Sequence, residues 1–192
     1  LSISNTFYLS KISALAVYDV LADILPNSQY DIKIKWPNDI LVNQHKISGI
    51  LIENNFTSTN IQHSVIGIGL NVNQDDFSEF ERTATSLKLL SNSVHSRDEI
   101  LEKICVNFEK WYLKLKESKL ELIDTCYHDY LFEINKITVF VDTFNHKFNG
   151  RVKSVTKAGK LLLELEDDIL KEFDIKEIKS PNFLKALAIP RK

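Results

Sequence analysis

The stretch that decides the fold is Lys35-Trp36-Pro37-Asn38-Asp39, with Ile40-Leu41-Val42 directly behind it and Lys46-Ile47-Ser48-Gly49-Ile50-Leu51-Ile52-Glu53 a few residues on. Ile32, Ile34 and Trp36 alternate with Lys33 and Lys35, the period of a half-buried strand. Pro37 removes a backbone donor and pushes Trp36 toward extended geometry, so the regular ladder breaks there. Asn38-Asp39 is turn chemistry. The apolar runs 40–42 and 46–52 flank the polar tip Asn43-Gln44-His45, which predicts a hairpin with Asp39 and Lys46 in opposite arms. A carboxylate and an ammonium at an interrupted strand end suit an anionic phosphate substrate and its metal. A solvated surface ion pair, common and worth little, fits the same spacing.

Upstream, Leu9, Ile12, Ala16, Val20 and Ile24 recur at helical spacing until Pro26-Asn27, which predicts a core-facing helix with no chemical role. Downstream, the polar residues 54–61 read as a loop. Val65, Ile66, Ile68 and Leu70 form a buried strand carrying Gly67 and Gly69. Glycines there mark close approach of a ligand or another backbone, or a bulge. Asn71 and Asn73 at the strand's end could bond a purine edge or cap a turn. Residues 83–90 read as a short helix or turn. Ser96-Arg97-Asp98-Glu99 is a capping box that opens a long helix. The apolar face of that helix is Ile100, Leu101, Ile104, Cys105, Phe108, Trp111, Tyr112 and Leu115. A further helix covers 120–132.

From Ile137 the pattern changes to short strands at 137–141, 148–155, 161–165, 169–173 and 177–178, with Lys157-Ala158-Gly159-Lys160 as a hairpin tip. Such spacing predicts a small barrel. Pro181 and Pro190 leave room only for a helical turn at 183–187. The fold class expected is α+β, a mixed sheet with packed helices followed by a small β-barrel, with the boundary near Asn135.

The 192 residues are 44% hydrophobic and 26% charged, the balance of a soluble globular protein. A net charge of −2 and four arginines (Arg82, Arg97, Arg151, Arg191) carry no basic field for nucleic acid. Lys114-Leu115-Lys116 and Lys157 to Lys160 therefore read as solvated faces. Cys105 and Cys126 lie among apolar residues and read as reduced core thiols of a cytoplasmic protein. No apolar run approaches the ~20 residues of a membrane span, and no signal peptide is recognisable. The histidines (His45, His63, His95, His128, His146) are scattered, without metal-ligand spacing. Neither a Gly-x-Ser-x-Gly elbow nor a Walker-type phosphate loop occurs.

Lys35 to Asp39 followed by Lys46, Gly49, Ile50 and Leu51 resembles the K-W-P-N-D … K-x-x-G-I-L signature of biotin protein ligases, and Ile66 to Asn73 resembles the family's next segment. The resemblance implies a class II synthetase-like catalytic domain over 1–135 and an SH3-like domain and tail over 136–192. It implies ATP-dependent ligation of biotin to a lysine of a biotin carboxyl carrier domain through biotinyl-5′-AMP, with Mg²⁺. By resemblance, Lys46 is the cation at the biotin carboxylate and α-phosphate. Asp39 holds Mg²⁺ or orients Lys46, and Lys35 and Asn38 build the strand-end geometry. Gly49, Leu51, Gly67 and Gly69 line the ligand site by backbone approach. Asn71 contacts the adenylate, and Trp36 walls the site or belongs to the core. Homodimers that pair through a sheet edge are a family habit. The family's G-R-G-R-x-G loop has no counterpart, since none of the five glycines precedes Gly49. The expectation is therefore an N-terminally truncated catalytic domain, with no DNA-binding helix-turn-helix. Two alternatives stay open: a lipoate or octanoate transferase of the same superfamily, and a non-catalytic module that binds carrier domains.

Overall fold

In the computed structural model the described residues are 2, 5–26, 28–58, 60–77 and 84–179. The first helix, α1 (Phe7–Ile24), lies against a four-stranded sheet of β1 (Ile32–Lys35), β2 (Asp39–Val42), β3 (His45–Phe56) and β4 (Ile61–Leu70), in the order β1-β2-β3-β4. All three pairings of named strands are antiparallel. Among the described residues, parallel pairing to this sheet enters only as isolated bridges, Ile34 with Leu131 and Lys46 with Ala84. The α+β expectation holds, and the mixed character of this sheet is confined to those bridges.

Alternation explains the sheet's two faces. Ile32, Ile34, Ile47 and Ile50 are buried, and Ile52 and Ile68 pack against the same core, which also takes Ile12, Leu15, Ala16, Val17 and Leu21 of α1. The β2–β3 turn is Asn43-Gln44, both at positive φ (49° and 67°), the conformation a two-residue hairpin requires. His45, expected at the tip, instead begins β3 and pairs with Val42.

The loop expected at 54–61 is shorter than read. Strand β3 runs on to Phe56, pairing Asn54 with Ser64 and Asn55 with His63. The polar residues there extend a hairpin beyond the core, and Ser64 Oγ donates to Asn54 Oδ1 at 2.6 Å. Cross-strand pairing stabilises these residues where burial does not.

Next come α2 (Leu87–Ser91), α3 (Arg97–Lys116) and α4 (Leu120–Asp129). Ser96 caps α3 by accepting from the Glu99 amide, as the capping box predicts. The apolar stripe was read too wide. Ile100, Trp111 and Leu115 are buried and Ile104 and Phe108 half-buried, but Leu101, Cys105 and Tyr112 face solvent. Cys105 is thus an exposed thiol rather than a core one, and Cys126 is half-buried. The helix is covered on one narrow side by α1 and α4, so only that side is apolar by necessity.

The C-terminal strands are β5 (Ile137–Asp142), β6 (Lys147–Val155), β7 (Leu161–Glu164), β8 (Leu170–Phe173) and β9 (Ile178–Lys179), in the order β8-β7-β6-β5-β9. The strands match their sequence positions within about two residues. In place of the closed barrel expected, the described residues form an open antiparallel sheet, since no pairing joins β8 to β9. The helical turn expected at 183–187 and Thr83 lie outside the described residues.

The buried residues of both sheets form one continuous cluster, from Tyr8 to Ile178. Helix α1 joins the two halves through Lys11, a residue that the helical apolar pattern does not single out. Lys11 is 2% exposed, bonds Asp124 of α4 at 2.7 Å and donates to the Val155 carbonyl of β6 at 3.2 Å. Burial pushes its ammonium below the usual lysine range, against the opposing pull of Asp124.

We expect Leu15→Ala, which empties a fully buried position of α1, to cost about 2–5 kcal/mol of folding free energy in urea unfolding, with the transition still cooperative.

Candidate functional site

The residues of the signature converge on one face of the first sheet. Register pairs Lys35 with Asp39, Asp39 with Gly49, Gly49 with Gly69, and Leu51 with Gly67. Directly paired residues point to the same side of an antiparallel sheet. Lys35, Asp39, Gly49, Leu51, Gly67 and Gly69 therefore share the face opposite α1. That face is open, with Leu51 65% exposed.

A bulge between Ile40 and Leu41 shifts the hairpin register and brings Lys46 of β3 back toward Asp39. Lys46 Nζ lies 2.5 Å from Asp39 Oδ1, and Lys35 Nζ lies 3.9 Å from Oδ2. Asp39 is 6% exposed, so its carboxylate is buried between two ammonium groups. Lys46 keeps 37% of its side chain exposed. The pair is thus anchored at its acidic end and open at its basic end, which is unlike a solvated surface pair.

The glycines divide into two kinds. A Cβ on Gly49 would stand 3.0 Å from Lys46 Nζ and 3.2 Å from its Cε, so the bare backbone makes room for the lysine. A Cβ on Gly67 or Gly69 would meet only a carbonyl oxygen, at 3.6 and 3.7 Å. Nothing within the described chain requires glycine at those two positions. Together with Gly49 they leave an exposed strip of flat backbone beside Lys46.

Asn38 clamps the signature turn onto β3. Its carbonyl accepts from the Ile50 amide at 2.8 Å, and its Nδ2 donates to the Ile50 carbonyl at 2.9 Å. The Trp36–Pro37 peptide is cis. Trp36 is half-buried, and its Nε1 donates to the Gly159 carbonyl of the second sheet at 2.8 Å. A cavity of about 320 Å³ separates the turn from that sheet, lined by Trp36, Pro37 and Asn38 on one side and Phe140, Val152 and Leu161 on the other.

Asn71 organises the end of the sheet beside Lys46. Its amide donates to the Ile47 carbonyl, and its Nδ2 to the Thr85 carbonyl at 3.0 Å. Asn73 exchanges bonds with the His95 backbone in both directions, so its side chain is used as a turn tie. Residues missed in the sequence are Ala84 and Thr85, which run beside Lys46; the Thr85 amide donates to the Lys46 carbonyl at 2.9 Å. They carry no motif of their own, and only the tertiary pairing reveals them.

Residues 3–71 match the model of the Biotin/lipoate A/B protein ligase family. The Bifunctional ligase/repressor BirA of Bacillus spizizenii is 34% identical over 164 residues, 84% of this chain and 50% of that protein. The Biotin--[acetyl-CoA-carboxylase] ligase of Paracoccus denitrificans is 33% identical over 111 residues, 56% of this chain and 46% of the relative. Among solved structures, apo biotin protein ligase from Aquifex aeolicus superposes with a TM-score of 0.74 at 24% identity, covering 92% of this chain and 75% of that one. Over most of its length the chain is thus similar to biotin protein ligases. It spans about half the length of the curated relatives it matches.

Two outcomes follow from the geometry. Asp39→Asn leaves two ammonium groups facing each other without their carboxylate. We expect it to lower stability by about 1–3 kcal/mol, part of which returns at high salt. Gly69→Ala, with no clash to meet, should raise stability by about 0.4–1 kcal/mol in the same urea titration.

Proposed function

We propose that this chain carries the ligation centre of a biotin protein ligase, an enzyme that attaches biotin to a lysine of a biotin carboxyl carrier domain at the expense of ATP. The observation that carries the reading is the anchored Lys46 ammonium beside a strip of bare glycine backbone. The names of the relatives support it, as does the Aquifex ligase solved in complex with biotin and ATP, whose fold this chain shares.

The chemistry needs one cation where negative charge gathers. In the first step a biotin carboxylate oxygen attacks the α-phosphorus of ATP. The P–O bond to the β-phosphate breaks, giving biotinyl-5′-AMP and pyrophosphate. Lys46 faces the incoming carboxylate and the α-phosphate oxygens, and a fixed ammonium there stabilises the transition state without reorganising. Asp39 orients Lys46 from its buried side, and Lys35 adds positive potential behind it. In the second step the neutral amine of the carrier lysine attacks the biotinyl carbonyl. The amide forms, the mixed anhydride opens, and AMP leaves as the amine sheds its proton. The glycines at 49, 67 and 69 give the ligand backbone to lie on, Leu51 supplies an apolar edge, Asn38 ties the signature turn to Ile50 within the strip, and Asn71 ties Ile47 and Thr85 beside Lys46. Trp36 acts from outside it, through the second sheet.

Asp39 does not fit as a protein ligand for Mg²⁺. Its oxygens face Lys46 and Lys35, and no three His, Cys, Asp or Glu side chains among the described residues cluster as a metal site. A magnesium ion would be carried by the nucleotide phosphates and not by Asp39.

We read residues 1–135 as the catalytic unit and 136–192 as an SH3-like unit, the latter resting on five short antiparallel strands. Pairing of subunits through the outer edge of β4 and a cytoplasmic site of action complete the reading, the latter in keeping with two unpaired cysteines. No helix of the described residues is long and apolar enough to cross a membrane.

The test is pyrophosphate exchange by the intact gene product. Lys46→Ala should lower the rate of adenylate formation by about 10²-fold or more, through lost charge stabilisation. Gly69→Ala should weaken ligand binding although it stabilises the fold. Near-normal exchange by Lys46→Ala would remove the basis of the assignment, and exchange with lipoate instead of biotin would favour the transferase reading.

A further inference from the structure

The β6–β7 hairpin enters from the C-terminal sheet and is gripped at three points by elements of the first half. Its turn is closed by the Gly159 amide on the Thr156 carbonyl and the Thr156 amide on the Lys160 carbonyl. Gly159 takes φ +85°, a conformation glycine adopts without penalty. A Cβ there would also stand 2.5 Å from Phe7 Cδ2, so the first turn of α1 closes directly on the tip. The Gly159 carbonyl accepts from Trp36 Nε1 at 2.8 Å. At the last strand pair before the turn the Val155 carbonyl accepts from Lys11 Nζ at 3.2 Å.

Lys11 is held in turn. Asp124 of α4 lies 2.7 Å from its Nζ, and Tyr8 Oη donates to the other Asp124 oxygen at 2.7 Å. The rings of Phe7, Tyr8 and Tyr127 surround the ammonium at 6.0, 5.1 and 5.5 Å from their centroids. A buried, paired lysine of this kind costs desolvation that ordinary packing would not. What it gains here is a fixed place for one carbonyl of the hairpin.

The signature turn needs such a fixture. On one side Asn38 ties it to β3, while on the other it faces a cavity of about 320 Å³ instead of packed side chains. Across that gap the Trp36–Gly159 bond is a direct tie between the turn and the second sheet. Asp39 follows Trp36 by three residues, and Asp39 anchors Lys46. We propose that the β6–β7 hairpin is a positioning element for the ligation site, with Lys11 and Asp124 as positioning residues that act through the hairpin and Trp36 on the Asp39–Lys46 pair. The catalytic consequence rests on the ligase reading above; the mechanical coupling does not.

The experiment uses two variants of the intact protein. In Lys11→Met, which keeps most of the side chain's length and removes its charge, the ¹⁵N–¹H signal of the Trp36 indole is followed. Coupling predicts that this signal shifts and exchanges with solvent at least about tenfold faster, and that the Gly49 amide shifts while the signals of 62–64 stay in place. An unmoved Trp36 signal in a folded Lys11→Met protein overturns the proposal. Trp36→Phe keeps an aromatic ring and deletes the donor, and serves if Lys11→Met fails to fold. It should lower kcat for adenylate formation by about 10- to 100-fold, with KM for the carrier domain and the unfolding midpoint nearly unchanged. Unchanged kcat, or a loss confined to stability, overturns the positioning role. If the wild-type protein forms no biotinyl-adenylate, the ligase reading fails, and the indole signal of Lys11→Met still decides the coupling.

Discussion

A carboxylate buried between two lysines is the constraint on which the site depends. Asp39 is nearly without solvent contact, and it is held across a hairpin rather than within one strand. That single pairing requires the break after Trp36, the two-residue turn at Asn43-Gln44 and the bulge at Ile40/Leu41. It also requires a residue with no side chain at Gly49, where Lys46 lies. A buried charge is costly unless paired, so each of these local features is tied to the others by electrostatics as much as by backbone geometry. The outcome is an ammonium fixed at its base and available at its tip.

The rest of the architecture holds that arrangement still. Helix α1 packs its apolar side under the sheet, and α3 and α4 cover α1 from behind. The second sheet reaches back through Val155 and Gly159 to Lys11, Phe7 and Trp36. These contacts leave the outward face of β3 and β4 uncovered, which is the face bearing the glycines. An exposed strip of backbone is a weak contributor to stability, since it has no side chain to bury. Its presence beside a poised cation is therefore better explained by what can lie on it than by folding.

Much of this was legible in the chain. The alternation Ile32, Ile34, Trp36 and the break at Pro37 define β1 and its end, and Ser96 with Glu99 marks the start of α3. The signature residues were named from sequence, and pairing register puts six of them on one face. What was not legible depends on tertiary partners. The buried place of Lys11 has no local signal, because its counter-charge, Asp124, lies 113 residues away. Asn54 and Asn55 looked like a loop because they are polar, yet their partners across the hairpin, Ser64 and His63, are polar too. The α3 stripe was drawn too wide because sequence shows which residues can be buried, and only neighbouring helices decide how many are.

The central claim is that Lys46 and the glycine strip form one binding surface for an acyl adenylate. The most direct measurement is calorimetric titration of this 192-residue chain with a non-hydrolysable biotinyl-adenylate analogue, in the wild type and in Lys46→Ala. The account predicts saturable one-to-one binding that Lys46→Ala weakens by at least about tenfold, with both proteins equally folded. Equal affinity in the two proteins, or binding that Gly69→Ala leaves untouched, would contradict it.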